Sequence, residues 1–243
     1  MDISNVTCQG RKLLKLKYCG AVIVAAGSAS RMQGVDKILE DLGGKSVIAR
    51  TVETFQNCDA IREIVVVTSP ERIVAIMDLC AGMDKVKAVV AGGASRPESV
   101  SNGLNALSSK VKLAAIHDGA RPLVSWQLID RVVRAANSYG AAAPAIPVKD
   151  TIKTVQGGVV KDTPDRSALR AVQTPQVFDF DLIRGALKKA QEDNAAITDD
   201  CSAVERLGKT VFLIEGSEEN LKITTPIDLV VAEAILRARE GRT

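Results

Sequence analysis

Aromatic residues are scarce in this chain: they make up 3% of its 243 residues, with a single tryptophan, Trp126. Proteins that bind single-stranded nucleic acid do so largely by stacking bases on aromatic rings, so nucleic acid is not an expected partner. Histidine is scarcer still, with His117 alone. The five cysteines, Cys8, Cys19, Cys58, Cys80 and Cys201, are odd in number and widely spaced, with no C-x-x-C pair. A cysteine metal centre and a disulfide framework both need paired or clustered thiols, and the pattern here is that of reduced thiols in a cytoplasmic protein. No apolar run approaches the ~20 residues of a membrane span, and the N-terminal residues lack an apolar core of signal-peptide length. Neither a membrane nor export is expected. A broad polyanion-binding face is missing too: Arg11, Lys12, Lys15 and Lys17 against Asp2 account for the whole net charge of +3, which leaves a neutral body behind a basic extension over residues 1–17.

Two familiar phosphate loops are also absent. A dinucleotide fingerprint needs glycines at G-x-G-x-x-G, but Gly27 is followed at those places by Ala29 and Met32. Gly43-Gly44-Lys45-Ser46 resembles the end of a P-loop, yet the glycine required five places before Gly44 is Leu39. These residues read instead as a turn into a helix, with Ser46 as its cap.

What is present begins at residues 21–37, A-V-I-V-A-A-G-S-A-S-R-M-Q-G-V-D-K. A β-branched and small apolar run, as in a buried central strand, breaks at Gly27 into a small polar loop that delivers Arg31 and Lys37. Helix-like and strand-like segments then alternate as far as Ile146, with strands at 63–68, 86–90, 112–117 and 141–146 and helices from Ser46, Pro70, Pro97 and Trp126. The pattern predicts an α/β fold, a mostly parallel twisted sheet with helices on both faces, and ligands at the carboxyl ends of its strands. After Pro147 the alternation stops. Two polar β-rich runs joined through Gln156-Gly157-Gly158 predict a hairpin, too polar for core and so an arm projecting over about 148–170. Helices near 181–192 and 198–207, a strand at 211–214 and a helix from Pro226 complete a single domain over 18–243.

Four polar clusters follow predicted strands: 27–37 with Arg31 and Lys37, 92–99 with Arg96 and Ser99, 117–122 with Asp118 and Arg121, and 219–222 with Lys222. Cations converging around one acidic residue suit a phosphate-rich substrate with a divalent metal, and hence phosphoryl or nucleotidyl transfer. A covalent nucleophile is not indicated, since the lone His117 has no cysteine beside it; it reads as a packed residue at a strand end.

The motifs A-A-G-x-x-x-R-M…K, G-G-x-x-R-x-x-S-V, H-D-G-A-R-P, V-K-D-T-I-K, D-R…Q-T-P-Q, I-T-D-D and N-L-K-I-T occur in that order between about Gly20 and Ala238. Together they resemble the 2-C-methyl-D-erythritol 4-phosphate cytidylyltransferases of the non-mevalonate isoprenoid pathway. The resemblance implies a Rossmann-type fold like that of nucleotide-diphospho-sugar transferases, a homodimer clasped by the arm, and a nucleotidyltransferase dependent on CTP and Mg²⁺ or another divalent cation. It implies CTP contacts from Ala25, Ala26, Gly27, Gly93, Ser99 and Asp118, with Arg31, Lys37 and Lys222 on the phosphates as the catalytic cations. It implies a polyol-phosphate pocket of Asp118, Arg121, Thr151, Arg166, Thr174 and Thr198, with Thr151 and Arg166 supplied by a partner's arm. No protein metal ligand is assigned; Asp118 is the candidate beside the CTP phosphates. Ala29, Asp36 and Ala94 depart from the family pattern, and Asp36 is placed to compete for Lys37. A ribitol 5-phosphate or other polyol-phosphate cytidylyltransferase is the nearest alternative, and a nucleotide-binding regulator without catalysis the more distant one.

Overall fold

The computed structural model describes residues 15–27 and 36–241. Its main sheet has eight strands, in the order β3-β2-β1-β4-β9-β5-β10 with β8 alongside β5. The central members are β1 (Cys19–Ala25), β2 (Glu63–Thr68), β3 (Val86–Ala91) and β4 (Leu113–Asp118), all parallel to their neighbours within this set. Pleating sends alternate residues of β1 to opposite faces. Cys19, Ala21, Ile23 and Ala25 pack with α1 (Val47–Gln56), α2 (Ile73–Leu79) and α4 (Trp126–Tyr139). Val22 packs on the other face with α3 (Arg96–Ala106), α5 (Phe180–Glu192) and α6 (Asp200–Arg206). Both faces are thus covered, which is why β1, β2 and β4 are buried almost throughout, whereas the edge strand β3 is only partly buried and exposes Lys87.

Local chemistry sets the helix ends. Ser46, Ser95 and Ser125 each accept from a backbone N–H in the first turn of α1, α3 and α4, and Gly140 closes α4 at φ 85°. Leu128, Ile129, Val132, Val133 and Ala136 bury one stripe of α4. At ~1.5–3 kcal/mol for each large side chain, that burial anchors the helix far more strongly than its caps. The Gly44–Ser46 turn enters a helix as the sequence predicts, and Ser46 Oγ accepts from the Ala49 N–H at 3.4 Å.

The second half of the sheet is mixed. After β5 (Ala141–Pro147) comes the separate hairpin of β6 (Thr154–Gln156) and β7 (Val159–Asp162), turned by Gly157 and Gly158 at φ 58° and 77°. Two adjacent left-handed residues suit the right-handed twist of a tight hairpin, and glycine adopts them without a Cβ penalty. The chain then returns as β8 (Arg170–Val172) and β9 (Gln176–Asp179); β9 runs antiparallel to both β4 and β5 and separates them. This inserted strand was not evident from the alternation, because only Gln176–Asp179 pair and the segment lacks a long apolar run. β10 (Phe212–Glu215) lies parallel to β5 at the edge, and α7 (Pro226–Glu240) packs through Leu229 and Ala232 onto Leu42, Val47, Leu123 and Ile223. Among the described residues no helix is long and apolar enough to cross a membrane.

Candidate active site

The carboxyl ends of β1, β3 and β4 meet. Ala25 closes β1, with Ala26 and Gly27 immediately beyond it. The Gly92 N–H donates to the Thr68 carbonyl at 2.7 Å, and the Gly119 N–H to the Val24 carbonyl at 2.8 Å. Gly92 has no room for a side chain: a Cβ there would lie 2.4 Å from the Ala26 Cβ and 2.8 Å from Ser99 Oγ. The predicted nucleotide residues Ala26 and Ser99 are therefore brought together across this glycine. Buried Ser99 accepts from the Gly93 N–H at 3.0 Å and donates to the Ser95 carbonyl at 2.9 Å, so its hydroxyl shapes the Gly93 loop. The Ala94 N–H donates to Glu98 Oε2 at 2.8 Å, which places a carboxylate beside the position where the family pattern has its own acid.

Asp118, the last residue of β4, is the electrostatic centre. Its Oδ2 lies 3.0 Å from Lys222 Nζ and 3.3 Å from Arg121 Nε, and its Oδ1 lies 3.8 Å from Arg96 Nη2. Burial pushes the Asp118 carboxyl up, but the cations of Lys222, Arg121 and Arg96 outweigh it and bring its pKa down to about 2. A carboxylate ringed by cations stays ionised at any working pH. Arg121 is largely committed to structure, since Nη1 also donates to the Asn220 carbonyl at 2.7 Å. The Ile223 N–H reaches the Ala120 carbonyl at 2.8 Å, which fastens the Lys222 loop to the loop after β4.

Thr174 is buried against Asp118 and His117. Its Oγ1 accepts from the Asp118 N–H at 3.1 Å and lies 3.1 Å from His117 Nδ1. His117 Nε2 faces the Arg121 carbonyl at 3.3 Å. A carbonyl only accepts, so Nε2 carries the proton and Nδ1 accepts from the threonine. Complete burial keeps this imidazole neutral, its pKa brought down to about 3, and its ring packs on Phe55 with centroids 4.8 Å apart. His117 is a packed strand-end residue, as read from the sequence. The Thr174 hydroxyl, expected at the polyol-phosphate pocket, thus links Asp118 and His117.

Asp36 and Lys37 lie at the start of the described segment after β1. Asp36 is engaged by a second cation, for its Oδ2 lies 2.5 Å from Arg72 Nε and its Oδ1 accepts from the Ile38 N–H at 3.3 Å. Arg31, like Ala29, lies outside the described residues. Thr198 is exposed just before α6, and its N–H donates to Ser202 Oγ at 3.1 Å. Thr151 and Arg166 are exposed on the arm; the Arg166 guanidinium donates to the Lys149 carbonyl at 3.0 Å. The sequence reading left out Asp200. Its two oxygens accept from Arg96 Nη1 and Nη2 at 3.0 and 2.7 Å, and it is completely buried. The I-T-D-D motif carried that signal, but its spacing does not say which acid turns inward and which caps the helix, a role Asp199 fills.

A family model described as 2-C-methyl-D-erythritol 4-phosphate cytidylyltransferase matches residues 19–238. A protein of that name from Caldanaerobacter subterraneus subsp. tengcongensis is 45% identical over 222 residues, covering 89% of this chain and 98% of that one. Its counterpart in Geobacillus kaustophilus is 46% identical, covering 90% and 97%. Among solved structures, the 4-diphosphocytidyl-2C-methyl-D-erythritol synthase of Anaerococcus prevotii superposes with a TM-score of 0.82 at 31% identity, covering 91% and 96% of the two chains. The cytidylyltransferase of Thermus thermophilus superposes at 0.74 with 35% identity, covering 89% and 98%.

Proposed function

The chain belongs to the 2-C-methyl-D-erythritol 4-phosphate cytidylyltransferase family, and from that premise we propose how its residues divide the work. It transfers the cytidylyl group of CTP to 2-C-methyl-D-erythritol 4-phosphate, releasing pyrophosphate and 4-diphosphocytidyl-2-C-methyl-D-erythritol in isoprenoid precursor synthesis. The substrate phosphate is already an anion able to attack the α-phosphorus, so no enzyme nucleophile is required. A new P–O bond forms on the α-phosphorus as its bond to the β-phosphate oxygen breaks and pyrophosphate departs. The obstacle is repulsion between two highly charged groups brought into line, and fixed cations lower it most where charge builds up in the transition state.

Arg31 and Lys37 hold the triphosphate, and Lys222 reaches from its ion pair with Asp118 toward both phosphates. The backbone at Ala25, Ala26, Gly27 and Gly93 seats the nucleotide, and Ser99 keeps the Gly93 loop in shape. Asp118 receives hydroxyl groups of the sugar or the polyol, with Arg121 bracing it and Thr174 fixing its backbone. Thr198 lies at the polyol side. The convergence of Lys222, Arg121 and Arg96 on one ionised carboxylate at the strand ends carries this assignment.

Among the described residues no three histidine, cysteine or acidic side chains gather into a metal cage. A single carboxylate suits a magnesium-like ion that takes most of its ligands from phosphate and water. Asp118 is the side chain that would hold such a divalent cation beside the CTP phosphates, where the ion would neutralise triphosphate charge.

The arm makes the enzyme a homodimer. Val155, Val159 and Val160 are 60%, 62% and 54% exposed on a hairpin that has no core beneath it, and apolar side chains so displayed call for a covering surface. A second copy of the chain supplies it, and Thr151 and Arg166 then enter the partner's polyol-phosphate pocket. The buried free thiols Cys19, Cys58, Cys80 and Cys201 suit a cytoplasmic enzyme. Pyrophosphate release from CTP with a panel of phosphorylated polyols tests the whole reading. Methylerythritol phosphate with Mg²⁺ should be turned over fastest, with little turnover when the divalent ion is removed. Faster turnover of ribitol 5-phosphate would overturn the substrate.

A further inference from the structure

Arg96 stands on the first turn of α3, directly after the Gly92–Ser95 loop, and Asp200 on the first turn of α6, two residues after Thr198. Their side chains meet in a two-pronged pair at 3.0 and 2.7 Å. Asp200 is completely buried and Arg96 is one-third exposed. The residues behind the pair are themselves tied down: Asp199 caps α6 and accepts from Gln176 Nε2 at 2.8 Å, while Gln176 Oε1 accepts from the Cys201 N–H at 3.0 Å. Arg96 also faces Asp118, but at the other carboxylate oxygen from Lys222 and Arg121 and at a greater distance. Those two cations crowd Oδ2, whereas Arg96 Nη2 remains 3.8 Å from Oδ1.

That separation is too long for a hydrogen bond and short enough for strong charge attraction. An untethered guanidinium would be free to close it onto Oδ1. We infer that Arg96 is a positioning residue for cytidylyl transfer, held off Asp118 by Asp200 so that Oδ1 stays charged, oriented and open to a substrate group. The same pair ties the loop proposed to read the nucleotide to the loop proposed to hold the polyol phosphate. Substrate bound on either side then meets one rigid arrangement around Asp118. The inference rests on the reading above that Asp118 touches substrate.

A staple that merely joins α3 to α6 makes a different prediction from a positioning pair. Arg96→Gln with Asp200→Asn keeps two hydrogen-bonding side chains of similar size and removes both charges. A staple would be restored by this neutral pair, in stability and in rate. A positioning pair would recover its melting temperature relative to either single variant, yet lose ~10-fold or more in kcat, with the KM for CTP changed much less. Asp200→Asn alone keeps the arginine but loosens its tether, and should lower kcat while CTP binding, measured by calorimetry without the second substrate, persists. Near-normal kcat in the double variant overturns the inference. Should that variant fail to fold, near-normal kcat in Asp200→Asn does the same. Asp118→Asn separates the two claims. A near-normal rate there removes the reading of Asp118 and this inference with it. An inactive Asp118→Asn beside an active double variant removes the inference alone.

Discussion

At Gly92 the absence of one methyl group decides whether two loops can share a site. The Ala26 Cβ and Ser99 Oγ occupy the space a side chain would need, and both belong to rigid surroundings. Gly92→Ala should destabilise the fold by ~1–3 kcal/mol, the usual cost of forcing a methyl into packed space. It should also raise the KM for CTP more than it lowers kcat, because the displaced groups are the proposed nucleotide loops. Denaturant unfolding and steady-state kinetics on the same preparation would check both, and an unchanged KM would separate this contact from the nucleotide site. At this scale the sequence was informative about residue types and poor about pairing. Lys222, Arg121 and Asp118 were recognisable from their places after strands, since strand ends converge in a parallel sheet. That Thr174 faces inward to His117, and that Asp36 is engaged by Arg72, depends on side-chain direction and on contacts between segments distant in the chain. No spacing rule contains that information.

Among the elements, the hairpin of β6 and β7 is the clearest case of local chemistry dictating structure. Two glycines between β-branched runs called for a tight turn, and Gly157 and Gly158 supply it in the left-handed region. The strands β1, β2 and β4 were equally legible, because burial on both faces leaves long apolar runs. β9 was not, since four residues fill a gap between β4 and β5 that only the tertiary fold creates. The arm's valines are predicted to matter for assembly and not for folding. Replacing Val155, Val159 and Val160 with serine should shift the sedimentation equilibrium toward monomer and leave the monomer's melting temperature within a few degrees, since none of the three packs into a core cluster. A variant that remains as dimeric as the parent would move the interface elsewhere.

For the molecule as a whole, the buried groups around Asp118 predict how stability responds to acid. His117 has its pKa lowered to about 3 by burial, while an unfolded histidine titrates near ~6.5. As pH falls through that window the unfolded chain takes up a proton that the folded chain refuses, so stability declines by up to ~1.4 kcal/mol per pH unit. Asp118 acts in the same direction lower down. Its folded pKa of about 2 lies below the ordinary ~3.9, so its contribution is present above the unfolded value and is lost as pH falls toward 2. Urea midpoints measured from pH 7 to 4.5 should therefore fall, and fall less steeply in His117→Gln. Asp200, whose carboxyl burial pushes up, acts in the opposite direction in both proteins, so a profile in His117→Gln as steep as the parent's would contradict the buried neutral histidine.

Whether one active site is assembled from two chains is decided most directly by subunit mixing. Lys37→Ala and Arg166→Ala should each abolish activity in their own homodimers, Lys37 serving the site of its own chain and Arg166 the site across the two-fold axis. After co-refolding of equal amounts, half the dimers are mixed, and each mixed dimer holds one site with both defects and one with neither. About a quarter of wild-type sites should then return. Pyrophosphate release at about a quarter of the wild-type rate is the predicted result. A mixture shown to have exchanged subunits, yet as inactive as its parents, would mean that each arm serves its own chain and would contradict the shared site.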